Sequence, residues 1–392
     1  MMRLTRVALL VAMLALQAGC GERAPPTPPF TPQELAYLEG MSPLGPLPPS
    51  HGNTFADDPR AAALGRRLFF DAGLSATGRV SCASCHDPAR YFTDGRPRAV
   101  GRGEGPRNTP SLLVAPHYPF LAWDGRKDSV WSQALGALLD EREHAISVDA
   151  AARRVKEVHG EAYEVAFGPL PDLADPAARE RVFVHAGKAI EAYLRDVARL
   201  EPSPFDHYVA ALLAGDPSGG GHLSAPAVRG LRVFLGEARC VACHHGPLLS
   251  DREFHAIGLP PAFGAPARDE GRARGITRLD ADPYRCGARW SDTSDCPSLR
   301  FLDRRSPDHV AAFRTPSLRN VERTGPYMHG GQIGSLEDVV DHYRVLSHEP
   351  RVGRRDVLLL PLPRAVRTDD LVAFLRSLTS PPPPGSAPGF SP

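Results

Sequence analysis

The chain has 392 residues, enough for two domains with separate cores, and a formal net charge of +1 from 46 basic and 45 acidic side chains. That balance excludes a protein that wraps nucleic acid through a basic surface. With 41 prolines, 36 glycines and 7% aromatic residues, the composition predicts short helices joined by many loops, not a large sheet.

Along the chain, Arg3 and Arg6 precede the apolar run Val7 to Leu16, which is too short to span a bilayer and fits the core of a signal peptide. It ends at Leu16-Gln17-Ala18-Gly19-Cys20, which resembles a bacterial lipobox with Cys20 as the lipidated residue. Gln17 departs from the usual aliphatic residue, and a plain secretory signal is the alternative. Either reading exports the protein, with residues 1–20 as the leader. Pro25 to Pro49 reads as an extended, proline-rich tether within residues 21–52.

A short helix is predicted from Asp58 as N-cap and Pro59 at the first position, with Leu64, Leu68 and Phe69 on one face. It is followed by Cys82-Ala83-Ser84-Cys85-His86. The same order recurs later: Ser224 caps a helix carrying Val228, Leu231, Phe234 and Leu235, then comes Cys240-Val241-Ala242-Cys243-His244. C-x-x-C-H places two thiols for thioether bonds to haem vinyl groups and the next His for the iron. A thioredoxin-like or zinc-binding C-x-x-C has no need of the trailing His twice. Gly65-Arg66-Arg67-Leu68-Phe69 and Gly230-Leu231-Arg232-Val233-Phe234 form a faint repeat. The expected fold is therefore mainly α, with two cytochrome-c-like haem domains and long loops. They are placed at 53–201 and 202–380, with the boundary near Pro202–Pro204 and a disordered tail at 381–392. Two further cysteines, Cys286 and Cys296, could form a disulfide in an oxidising compartment or remain thiols.

From Asp58 to Thr379 the sequence resembles the bacterial di-haem cytochrome c peroxidase and MauG family. The resemblance is carried by both C-x-x-C-H motifs, Phe92-Thr93-Asp94-Gly95-Arg96, Arg107-Asn108-Thr109-Pro110-Ser111-Leu112 and Trp123-Asp124-Gly125-Arg126. Further on it is carried by Thr315-Pro316-Ser317-Leu318-Arg319-Asn320, Thr324-Gly325-Pro326-Tyr327-Met328-His329 and Leu336 to Tyr343. It implies that peroxide reacts at the His86 haem, with Gln133 and Glu143 in the distal pocket and a carboxylate moving the proton between the peroxide oxygens. By residue pattern alone both could be solvated side chains beside the stripe Trp131, Ala134, Leu135, Leu138 and Leu139. Relatives commonly have proline where Ala137 stands. Classical members carry a distal His where this chain has Arg102, which implies an open iron at the first haem. His117 is read as a loop residue.

For the second haem the resemblance implies His244 and Tyr343 as ligands, a hard phenolate favouring oxidised iron. Tyr343 also fits a core face with Leu336, Val339, Val340 and Leu346, capped by Ser335, and Met328 and His342 are the competing ligands. Trp123 is the implied stepping stone between haems, and Asn108, Thr324 and Pro326 match a calcium site. The implied function is a peroxide-dependent oxidant of a protein partner, resident in the periplasm and touching a membrane only through the lipid on Cys20. Peroxide detoxification with electrons from a small cytochrome c or cupredoxin is the alternative enzyme, and a pure electron carrier is the rival from outside catalysis.

Overall fold

The computed structural model describes residues 30–260 and 268–382; Cys20, the leader and the tail from 383 lie outside them. The helices are α1 (Pro32–Met41), α2 (Pro59–Phe70), α3 (Cys82–Cys85), α4 (Val130–Leu139), α5 (Val148–Phe167), α6 (Pro176–Val197), α7 (Pro204–Leu213), α8 (Ala225–Leu235), α9 (Arg272–Asp280), α10 (Pro297–Arg300), α11 (Leu336–Val345) and α12 (Thr368–Arg376). Among the described residues one two-stranded sheet occurs, β1 (Phe254–His255) antiparallel to β2 (Phe313–Arg314), with Phe254 opposite Arg314. The rest is 3-10 turns and loops, as the proline and glycine content suggests.

Two apolar cores organise the helices. One gathers Leu64, Leu68, Trp131, Leu135, Val155 and Ile190 from α2, α4, α5 and α6. The other gathers Leu38, Phe205, Leu231, Phe234, Val340 and Phe374 from α1, α7, α8, α11 and α12. The predicted caps form: the Asp58 side chain accepts from the Arg60 N–H, Ser224 from Ala227 and Ser335 from Asp338.

The faint repeat has a packing cause. A Cβ on Gly65 in α2 would strike the backbone carbonyl of Ala189 in α6, and one on Gly230 in α8 would strike that of Asp370 in α12. Each glycine thus lets the helix preceding a C-x-x-C-H motif cross the last helix of its domain backbone to backbone. Replacing Gly230 by Ala is expected to destabilise the protein by about 1–3 kcal/mol, the usual cost of overpacking a tight contact. A chemical denaturation midpoint equal to that of the unsubstituted protein would contradict this account of the crossing.

The tether expectation does not hold for the described part of 21–52. Thr31 and Glu34 form a capping box, Pro32 opens α1, and Leu38 and Met41 are fully buried in the second core. Beyond α1 the chain lies along α6: Ser50 and Asn53 donate to the Glu191 carboxylate at 2.7 and 3.0 Å, and Arg195 donates to the Pro48 carbonyl at 2.8 Å. Proline was compatible with helix here because it occupies the first turn, where no N–H is required. The end of α1 is fixed by a buried network. Arg319 donates to both Asp206 oxygens (3.0 and 3.1 Å) and to the Met41 carbonyl (3.2 Å), while Ser42 donates to Asp206 at 2.7 Å.

Residues 272–300 add a small third cluster around Phe120, Leu279, Cys286 and Leu299, within which Cys286 and Cys296 are disulfide-bonded. This insertion is braced against the first domain. Asp282 accepts from Lys127 at 2.8 Å and from Ser132 of α4 at 2.6 Å, and the Cys286 N–H donates to Asp128 at 2.8 Å.

Candidate active site and haem pockets

Both C-x-x-C-H segments fold into a single helical or 3-10 turn, with the His backbone N–H bonded to the carbonyl of the first Cys at 2.9 Å in each. His86 Nδ1 lies 3.0 Å from the Phe92 carbonyl and His244 Nδ1 lies 2.9 Å from the Leu249 carbonyl. A carbonyl can only accept, so each Nδ1 carries the proton and each Nε2 keeps a free lone pair, the tautomer a metal-binding imidazole needs. Burial also holds both imidazoles below their ordinary range, hence neutral. Phe92 and Leu249 both adopt left-handed backbone (φ 58° and 52°), an uncommon choice for large side chains that is repeated to aim the same carbonyl.

Cys82, Cys85, Cys240 and Cys243 are unbonded to one another. Burial pushes the Cys82 and Cys240 thiols up to about 12 and Cys85 up to about 11. Thiols held protonated in this way are unsuited to disulfide exchange, which needs the thiolate. Cys240, Cys243 and His244 open onto a large apolar cleft also lined by Trp123, Val340 and Tyr343. Half-buried thiols beside a pre-oriented imidazole and an apolar cleft fit a covalently attached haem.

The structure brings Gln133 and Glu143 together. Gln133 on α4 and Glu143 in the turn after it line one pocket with Arg126, Lys127, Asp140 and Asp282. Gln133 Oε1 is buried without a hydrogen-bond partner, an unspent acceptor that a polar ligand would satisfy. Burial raises the Glu143 carboxyl to about 7; Arg126 opposes that rise and Asp140 adds to it. The Glu143 charge also acts on Cys82 and Cys85, so the pocket borders the first attachment turn. The loop containing Arg102 is bonded to the same turn, Arg102 N to the Glu143 carbonyl at 2.9 Å and Gly103 N to that of Arg142 at 2.8 Å. The Arg102 side chain itself is exposed and donates to the Glu141 carbonyl at 3.2 Å.

Trp123 is buried, donates from Nε1 to the Asn108 carbonyl at 2.9 Å and accepts from the Arg314 N–H at 2.9 Å. Tyr343 and Met328 both line the second cleft; the His342 ring packs edge-on against Tyr343. Burial raises the Tyr343 hydroxyl well above the ordinary phenol range. Asn108, Thr324 and Pro326 line this cleft too, and the Asn108 side chain donates to the Arg96 carbonyl at 2.9 Å. His117 sits in a 3-10 turn, where burial lowers it to about 4.

Several polar groups at these pockets had no signal in the sequence. Arg126 belongs to a motif, yet its reach to Glu143 depends on the fold. His144, buried between the Leu74 carbonyl (2.9 Å) and Cys82 Sγ (4.0 Å), is likewise positioned by distant segments. His255 is clamped between Asp251 at 2.8 Å and Asp356 at 2.6 Å. Burial works against its charge, but hydrogen bonds to Asp251, Cys243 and Asp356 prevail and raise it to about 11. Cys243, Asp251 and His255 lie close enough together to suggest a metal cluster. Because carboxylates engage both ring nitrogens, His255 is a paired cation and not a ligand.

Two helical domains, each presenting a C-x-x-C-H turn with its imidazole pre-oriented, define a di-haem c-type cytochrome. Residues 59–212 match the family model described as di-haem cytochrome c peroxidase. The chain is 34% identical over 368 residues to the methylamine utilization protein MauG of Methylorubrum extorquens, covering 93% of this chain and 90% of that one. It is also 34% identical to the cytochrome-c peroxidase IdrP1 of Denitromonas iodatirespirans, over 86% of each. Among solved structures it is similar to the di-haem peroxidase BthA of Burkholderia thailandensis, with a TM-score of 0.66 and 28% identity over 89% of this chain and 96% of that one. The chain belongs to the di-haem cytochrome c peroxidase family. It is accordingly a peroxidase with two c-type haems.

Proposed function

We propose that the protein uses hydrogen peroxide to withdraw electrons from a protein partner, in the manner the MauG resemblance implies. Cys82, Cys85 and His86 hold the first haem, and Cys240, Cys243, His244 and Tyr343 hold the second. When bound, the haem pair supplies the redox chemistry by which peroxide, two electrons and two protons become two waters. The residues of the first pocket handle the protons: Glu143 takes one from the inner peroxide oxygen and returns it to the outer, while Gln133 and Arg126 orient the molecule. The observation that carries this reading is the shared pocket of Gln133 and Glu143, with an unpartnered amide oxygen beside a carboxyl raised to about 7. An electron carrier has no use for such a pair.

Trp123 passes electrons between the haem sites, and Asn108, Thr324 and Pro326 hold a calcium ion through neutral oxygens completed by water. The leader and Cys20 place the protein in the periplasm on a lipid anchor. A second reading, peroxide detoxification with electrons from a small cytochrome c or cupredoxin, has equal support in the identity to the cytochrome-c peroxidase IdrP1.

Electron paramagnetic resonance of the purified ferric protein separates the two readings. A high-spin signal beside a low-spin one, both lost on adding one equivalent of peroxide without prior reduction, is the expected result. Two low-spin signals that ignore peroxide until one haem is reduced would instead select the second reading. Elemental analysis of the same sample should find one calcium per chain.

A further inference from the structure

Arg314 is a cation without an anion. It stands in β2 with its backbone N–H bonded to the Trp123 carbonyl at 2.9 Å, is only 7% exposed, and its guanidinium lies 3.7 Å from the centroid of the Tyr118 ring. Its Nε and Nη1 are buried with no hydrogen-bond partner, and among the described residues no carboxylate pairs with it. Arg319 is paired with Asp206 and Arg195 with Asp57, and the buried Arg272, which has no salt bridge among the described residues, at least donates to the Gly125 carbonyl. An uncompensated buried charge is costly, and aromatic stacking alone offsets little of that cost. Arg314 lines the cleft that also contains Cys240, Cys243 and His244. The anion it lacks therefore has to come from whatever fills that cleft.

Given the reading of Cys240, Cys243 and His244 as a haem site, on which this inference rests, we propose that Arg314 is the charge partner of a carboxylate side chain of the second haem. It is a positioning residue: it anchors that edge of the macrocycle next to Trp123 and, as a fixed positive charge, favours the reduced haem.

The test measures haem per chain by the pyridine haemochrome assay, then the midpoint potential of the second haem by spectroelectrochemistry, in the wild type, R314Q and R314K. The expected result is two haems in the wild type, a lowered second potential in R314Q, and a potential near wild type in R314K, which keeps the charge. Loss of one haem in R314Q but not in R314K would also support the proposal. R314M, neutral and of similar length, substitutes if R314Q does not accumulate. Unchanged potentials in a neutral variant with two haems would overturn the proposal. So would an R314K potential as low as that of the neutral variant, because the planar stack on Tyr118 and not the charge would then be what matters. A wild type with one haem would overturn the underlying site assignment as well, and the haem count reveals that before any potential is measured.

Discussion

Replacing Glu143 with glutamine is expected to slow the reaction with hydrogen peroxide by on the order of 100-fold or more, the usual contribution of a positioned general base. Glutamine keeps the shape and polarity of the side chain, so the loss isolates proton transfer. The pH dependence supplies an independent signature. Burial disfavours the Glu143 carboxylate and raises its protonation midpoint to about 7, with Arg126 limiting the rise. Below that midpoint the group is protonated and cannot accept a proton. The wild-type rate should therefore climb roughly tenfold per pH unit as pH rises toward 7 and level off above it. E143Q should show no such inflection. Stopped-flow kinetics decide the matter: a wild-type rate in E143Q, or a pH profile shared by both proteins, would remove Glu143 from the proton path.

The second large effect is expected at Tyr343. Burial opposes ionisation of its hydroxyl, so a phenolate ligand there would need the positive charge of bound iron. Removing the oxygen with Tyr343→Phe should convert the low-spin ferric signal to high-spin and raise the potential of that haem, because a hard anionic donor that favours ferric iron is gone. Met328 lines the same cleft and His342 adjoins Tyr343, so the variants discriminate. A low-spin signal that survives in Y343F and disappears in Met328→Leu would assign the ligand to Met328.

The parts of this protein that were legible in its sequence are those written locally. Asp58-Pro59, Ser224 and Ser335 announced helix starts because a cap acts within three residues, and C-x-x-C-H announced the haem turns because five consecutive residues carry the chemistry. Gln133 and Glu143 were reachable only through the family resemblance, and their common pocket and the reach of Arg126 needed the fold. What stayed hidden was non-local: the missing counter-ion of Arg314, the clamp on His255 and the Asp282 brace on α4 each join segments far apart in the chain. The N-terminal stretch was misread for another reason. Its proline content suggested extended backbone, whereas the spacing of Leu35, Leu38 and Met41 marks one face of a helix.

That docked helix sets a leash length. If Cys20 carries a lipid, residues 21–29 alone separate the membrane surface from Phe30, which is already buried in the second core. Nine residues at full extension reach about 30 Å. Phe30, and with it the near side of the domain holding Cys240, Cys243 and His244, would then stay within that distance of the bilayer. The same docking ties the two ends of the chain together, since Leu38 and Met41 of α1 share one core with residues of α7, α8 and α12.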